Sequence, residues 1–252
     1  MSHQRTKALV LRRTDFSETS LVLALLTEDR GRCPVLVKGA KRAKSRFFGA
    51  LDLYSLNEVV ILDRRSSELG LVTEASPIEV YEGLRRELKR AYAAHAVGEL
   101  LLGVLHDNEP MTEVFDLTCR TFERMASADG EEVEVHLAVF EVQLLRDLGT
   151  ELVLERCALC EKAMGGGSER TGLSVTAGGV VCRECAGRVS ELIEVSAGTI
   201  KVLRALGSGS ANMVARMRLS GRIQIELRET LERAYTHLLG RIPRMARLLH
   251  GV

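Results

Sequence analysis

The chain contains no tryptophan, and all aromatic residues together make up 4% of it: six phenylalanines and four tyrosines. No apolar run approaches the roughly 20 residues that a membrane-spanning helix needs. The opening MSHQRTKALVLRR has no apolar centre followed by a cleavage site, so no secretory signal is expected there. With neither signal, the expected location is cytoplasmic. Catalytic signatures are missing too. There is no GxxxxGK[ST] phosphate loop, no GxGxxG after a strand, and no GxSxG, HExxH or HxE…CxxC pattern. Gly165-Gly166-Gly167 lacks the following Lys-Ser/Thr and reads as linker. These absences argue against hydrolase, zinc-deaminase and ATP-dependent chemistry. They favour a binding protein over an enzyme.

What is present is a chain of 252 residues, 46% hydrophobic and 27% charged, with net charge +1. That length allows two or three domains with a sizeable core. The near-neutral total hides a pattern. Residues 1–80 sum to +3, residues 81–200 to −9 and residues 201–252 to +7. Basic ends and an acidic middle suit a protein that meets an anionic polymer with part of its surface only.

The densest charge lies in RGRCPVLVKGAKRAKSRFF, residues 30–48. Val35-Leu36-Val37 has the composition of a buried strand. Lys38, Lys41, Arg42, Lys44 and Arg46 follow, five cations in nine residues with no acid among them. Phe47 and Phe48 close the run. Cations suit phosphates, and flat rings suit bases. The candidate nucleic-acid-binding residues are therefore Lys38, Lys41, Arg42, Lys44, Arg46 and Phe47. The plain alternative is a solvated loop whose two Phe belong to the core.

Around this loop, five apolar runs read as strands: Thr6–Arg12, Ser20–Leu26, Cys33–Lys38, Leu53–Leu62 and Leu69–Ala75. Five short strands in about 70 residues have the size of an OB-fold barrel. Periodicity alone does not separate it from an SH3-like barrel. Pro77 is taken as the boundary, giving a nucleic-acid-binding domain over 1–78 and a helical domain over 79–252. In the latter, Tyr81, Leu84, Leu88, Ala91, Tyr92, His95, Glu99 and Leu102 recur at helical steps. Glu113–Met125 and Glu132–Leu148 read as further helices, with Gly149 as a stop. Ser190–Val195 and Thr199–Leu206 read as short helical pieces, and Gly207–Ser210 as a flexible link. Arg222–Leu239 is amphipathic, with Arg222, Arg228, Arg233 and Arg241 off the apolar stripe. They form either a solvated face or a second nucleic-acid surface. His95 and His136 are assigned to packing, and Cys33 and Cys119 read as buried small hydrophobes.

The strongest motif interrupts the helical part at about 153–188. Cys157-Ala-Leu-Cys160 is followed after 21 residues by Cys182-Arg-Glu-Cys185. A two-residue gap lets both thiolates of a pair face one ion, and two such knuckles supply four tetrahedral sulfurs. The expected cofactor is one structural zinc per chain, with an iron–sulfur cluster or a redox dithiol as alternatives. Four protein ligands leave no open position, so a metal here would be structural.

The barrel, helices and four-cysteine insertion, in this order, resemble the RecO family of bacterial recombination mediators. ALVLRRTDFSETSLVLALLTEDRGR, VLVKGAKRAKSRFFGALDLYS and CALC…VCREC carry the likeness, which covers essentially the whole chain. The resemblance implies an α+β fold: an N-terminal five-stranded OB barrel, then a helical domain with an inserted four-cysteine zinc ribbon. It implies binding of single- and double-stranded DNA and annealing of complementary strands. It also implies help in loading RecA onto DNA coated by single-stranded-DNA-binding protein. RecR and the acidic C-terminal tail of the coating protein are the implied partners. The alternatives are an RNA- or ribosome-associated OB/zinc-ribbon protein, and a thiol oxidoreductase using the CxxC pairs.

Overall fold

The computed structural model describes residues 3–63, 69–164, 170–208 and 221–245. The Gly165–Gly167 linker, the end of the expected Gly207–Ser210 link and the tail beyond residue 245 lie outside them. The chain divides into two compact units, Met1–Ala128 and Asp129–Gly251.

The first unit opens with β1 (His3–Asp15), β2 (Leu21–Thr27), β3 (Gly31–Val37), β4 (Leu56–Leu62) and β5 (Gly70–Glu79). They close into a barrel in the order β1-β2-β3-β5-β4, with β1 pairing both β2 and β4. Two residue pairs, Val35–Gly70 and Leu36–Leu71, join β3 to β5 in parallel. This order is that of the five-stranded OB barrel and resolves the choice left open by periodicity. Alternation decides which side chains enter it. Leu21, Leu23 and Leu25 lie beside their register partners Val37, Val35 and Cys33 and point into the interior, with Val59, Ile61 and Val72 completing it. β1 is buried on both faces from Ala8 to Leu11: Ala8 and Val10 enter the barrel core, and a helix (Leu88–Val104) packs against the strand from outside.

Pro77 does not end the barrel. It lies inside β5, opposite Asn57, beside a register shift at Leu56–Asn57. A proline, which lacks an N–H, is tolerated at such an irregularity. A short 3-10 turn (Glu82–Arg85) then precedes α1 (Leu88–Val104), and α2 (Thr112–Ser127) follows. The buried face of α1 differs from the expected stripe. Ala93, Ala94, Ala96, Val97, Leu100 and Leu101 are buried, whereas Leu88 is 57% exposed. α1 packs against β1, the 3-10 turn and α2 together. A helix covered on more than one side loses its one-sided pattern.

The second unit starts with α3 (Gly130–Asp147). The Asp129 carboxylate accepts from the N–H groups of Glu131 and Glu132, and Glu132 reaches back to the Asp129 N–H. Gly149 (φ 72°) stops the helix: its N–H bonds to Arg146 O, and the Thr150 N–H bonds to Leu145 O. The cysteine-bearing segment and a small sheet follow: β6 (Arg170–Ser174), β7 (Gly179–Val181) and β8 (Ile193–Ser196), in the order β7-β6-β8. β8 replaces the helical piece expected at Ser190–Val195. Ile193 and Val195 are buried around an exposed Glu194, a period of two rather than 3.6. α4 (Ala197–Gly207) takes in the first residue of the expected flexible link, and α5 (Gly221–Leu239) completes the unit.

Candidate nucleic-acid interface and metal centre

The basic stretch leaves β3 at Val37 as a succession of tight turns. Arg42 N–H bonds to Gly39 O, Ser45 N–H to Arg42 O, Phe48 N–H to Ser45 O and Ala50 N–H to Phe47 O. Gly39 and Gly49 take positive φ, 74° and 75°. The loop is held at both ends. Lys41 N–H bonds to Thr19 O in the β1–β2 turn, and Lys41 Nζ lies 2.8 Å from Asp15. Near the exit, the buried Asn57 side chain accepts from Leu51 N–H at 3.0 Å.

Phe47 does not reach the surface, contrary to its expected role in meeting bases. It is 4% exposed and packs with Leu51 into the barrel core. A ring enclosed by the protein has no face to offer a base. It anchors the loop instead, and the Arg46 guanidinium lies 5.0 Å from its centroid. The outward ring is its neighbour Phe48, 90% exposed. Lys38, Lys41, Arg42, Lys44 and Arg46 are all exposed. Of these, Lys41 is paired with Asp15. The other four have no carboxylate within salt-bridge distance among the described residues, so four positive charges face solvent uncompensated.

The basic residues of α5 are placed differently. Arg222 pairs with Glu226 at 3.0 Å, and Arg233 with Glu229 at 2.8 Å by side-chain hydrogen bond. Arg228 lies 3.3 Å from Glu141 of α3, and both side chains are largely buried. Burial pushes the Glu141 carboxyl up, and Arg228 opposes that rise. Glu226 ties α5 to the start of α4: it accepts from Ser196 N–H at 2.7 Å and Thr199 Oγ1 at 2.6 Å. Partial burial pushes its carboxyl pKa up, but these donors and Arg222 outweigh burial and hold it down to about 2. Sequence reading missed both acids. Their signal was a Glu on the apolar side of a helical stripe, next to Leu227 in one case and Val142 in the other.

The four cysteines converge. Cys157, Cys160, Cys182 and Cys185 place their sulfurs within 4.8 Å of one another, and Cys160 and Cys182 stand 3.7 Å apart. A tetrahedral ion with metal–sulfur bonds of ~2.3 Å needs sulfur–sulfur edges of about 3.8 Å, so this donor set fits such an ion. The backbone shapes both knuckles. Glu161 (φ 61°) turns the chain so that its N–H bonds to Cys157 O, and Cys157 N–H bonds to Lys162 O. In the second knuckle, Cys185 N–H bonds to Cys182 O. Gly179, at the start of β7, permits the close approach of the segment that leads into the first knuckle, since a Cβ there would stand 2.1 Å from Val153 O. Burial pushes the Cys157 thiol up, but N–H groups of Cys182, Leu159 and Cys160 outweigh it and hold it down to about 6. Hydrogen bonding to the Cys182 thiol and burial push Cys185 the other way, up to about 12, so an ion bound here would displace protons that the cluster shares.

The family models described as Recombination protein O N terminal and Recombination protein O C terminal match residues 1–81 and 85–248. The chain belongs to the RecO family. It is 38% identical over 202 residues to the DNA repair protein RecO of Rhodopirellula baltica, covering 80% of this chain and 74% of that protein. It is 30% identical over 249 residues to the DNA repair protein RecO of Roseiflexus sp., covering 98% and 85%. Similarity to that of Anaeromyxobacter dehalogenans is also 30%, over 241 residues, 96% and 93%. RecO membership places the chain in DNA repair and recombination. Among the described residues, no helix of this RecO chain is long and apolar enough to cross a membrane.

Proposed function

We propose that the chain is a non-enzymatic recombination mediator. It binds single- and double-stranded DNA, anneals complementary strands, and helps load RecA onto DNA coated by single-stranded-DNA-binding protein. RecR and the coating protein's C-terminal tail are its partners, and the protein works at the nucleoid. The observation that carries this reading is the turn-braced loop after β3, with four exposed cations that no carboxylate among the described residues neutralises. Such charges bind phosphates irrespective of sequence. Two strands held by exchangeable contacts have their mutual repulsion screened while they pair. The DNA-contacting residues are Lys38, Lys41, Arg42, Lys44 and Arg46, within an OB domain over residues 1–78. The domain over 79–252 carries the inserted ribbon. Zinc, held by Cys157, Cys160, Cys182 and Cys185, would supply a fixed cross-link to that ribbon and no chemistry.

The test is anisotropy of labelled single-stranded DNA across a salt series. Each cation engaged contributes about −0.7 to the slope of log affinity against log salt. The five contacting cations together therefore predict a slope of about −3.5. Lys41→Glu/Arg42→Glu/Lys44→Glu should flatten it and abolish annealing of complementary oligonucleotides. A triple variant that binds and anneals like the unmutated chain would refute the assignment. Tighter binding to RNA than to DNA of the same sequence would favour an RNA-associated role instead.

A further inference from the structure

Ten aromatic residues serve the whole chain, and the structure sorts them sharply. Phe47, Phe115, Phe122, Phe140, Tyr54, Tyr81 and Tyr235 are all at most 8% exposed. Tyr92 is half-buried. Two rings remain: Phe16 at 63% and Phe48 at 90% exposure. Phe16 belongs to the β1–β2 turn, and Phe48 to the basic loop.

Both loops leave the same end of the barrel. Asp15 pairs with Leu21 across β1 and β2, and Leu21 pairs with Val37 across β2 and β3. These three residues are the last paired positions before the two loops. The loops are also joined, by Lys41 N–H to Thr19 O at 3.1 Å and by Lys41 Nζ to Asp15 at 2.8 Å. Phe16 is next in sequence to Asp15. Phe48 is fixed from behind, because its neighbour Phe47 is sunk in the core.

We propose that Phe16 and Phe48 are two stacking platforms for unpaired bases, carried by the two joined loops that leave one end of the barrel, one of which bears the backbone-binding cations. This rests on the function proposed above and adds to it how single strands are told from duplexes. An exposed Phe gains nothing from the fold, since its face stays in water. A base stacked on that face removes apolar surface from both partners, and every base has such a face. In a duplex the bases are already stacked on one another, so only the cations can act there. The cations thus hold either form of DNA, and the rings add affinity for the single-stranded form alone. The cations of the basic loop, Lys38, Arg42, Lys44 and Arg46, exposed and without a carboxylate within salt-bridge distance among the described residues, point to a nucleic acid rather than an apolar protein surface.

The absence of tryptophan supplies a clean reporter. Phe48→Trp and Phe16→Trp each place one indole in an otherwise tryptophan-free chain. Emission of either variant should be quenched on titration with a dT oligonucleotide. It should not change with duplex DNA or with heparin, a polyanion without bases. Phe16→Ala and Phe48→Ala should each weaken single-strand binding roughly 5- to 100-fold, with duplex affinity and melting temperature unchanged. Single-strand affinity that survives in the double Ala variant overturns the proposal and leaves the charge-based reading standing. Equal loss for single strand and duplex also overturns it. If the unmutated chain binds no DNA at low salt, both readings fall together.

Discussion

Arg228→Met tests whether the basic residues of α5 are structural. The Arg228 guanidinium lies 3.3 Å from Glu141, with side chains 12% and 6% exposed. Glu141 is further enclosed by its own helix, and its backbone carbonyl accepts from the buried Tyr235 hydroxyl at 2.7 Å. Met preserves apolar volume but strands the carboxylate without a counter-charge. Removing one partner of a buried ion pair costs about 3–5 kcal/mol. In a unit of this size that lowers the melting temperature by roughly 10 °C or more. The sign of the pH effect follows from burial, which already pushes Glu141 up. Below the carboxyl's ordinary range the group is neutral in both folded and unfolded chains. The penalty then grows as pH rises through that range. The deficit of Arg228→Met against the unmutated chain should therefore narrow on acidification. Glu141→Leu/Arg228→Met should recover most of the loss or exceed the original stability, because well-packed apolar replacements of buried pairs often do. Thermal and urea melts of the four chains give the double-mutant cycle. A loss below about 1 kcal/mol from Arg228→Met, together with weakened DNA binding, would refute the reasoning and return α5 to the DNA-binding surface.

Phe47→Ala, which empties the loop's anchor point in the barrel core, should cost about 3–5 kcal/mol in a denaturant melt. Its neighbour Phe48, 90% exposed, should show almost no stability change on the same substitution. Cys157→Ser should lower zinc measured by elemental analysis from about one to near none per chain, and should shift the second unit's melt while sparing most DNA affinity. Zinc content unchanged in that variant would break the four-sulfur assignment. Glu226 has its carboxyl held down from 4.5 to about 2, so it contributes stability above its ordinary range that is lost as pH falls between those values. Glu226→Gln should therefore flatten acid unfolding across that window and cost about 1.5–3 kcal/mol at neutral pH.

Much of this molecule was legible along the chain. The short apolar runs Ser20–Leu26 and Cys33–Lys38 mark strands because such runs between polar turns suit buried strands, whatever they pair with. The stop of α3 is legible because Gly149 acts within one turn of backbone. The cysteine pairs announce their convergence because a two-residue gap is a local geometric device. The concentration of cations between Lys38 and Arg46 is likewise a property of composition.

Other features depend on which surfaces meet, and sequence spacing does not carry that. The choice of an OB barrel needed the pairing of β1 with both β2 and β4. The assignment of Phe47 to the core and Phe48 to solvent turned on one backbone turn, and adjacent residues of the same type carry no local mark of which faces inward. Arg228 looks like any cation on the polar side of an amphipathic helix until α3 brings Glu141 against it. The β1–β2 turn and the basic loop leave the same end of the barrel only because Asp15, Leu21 and Val37 share a row of the sheet. Local propensity and composition act through neighbours in sequence, whereas burial and charge compensation are settled by neighbours in space.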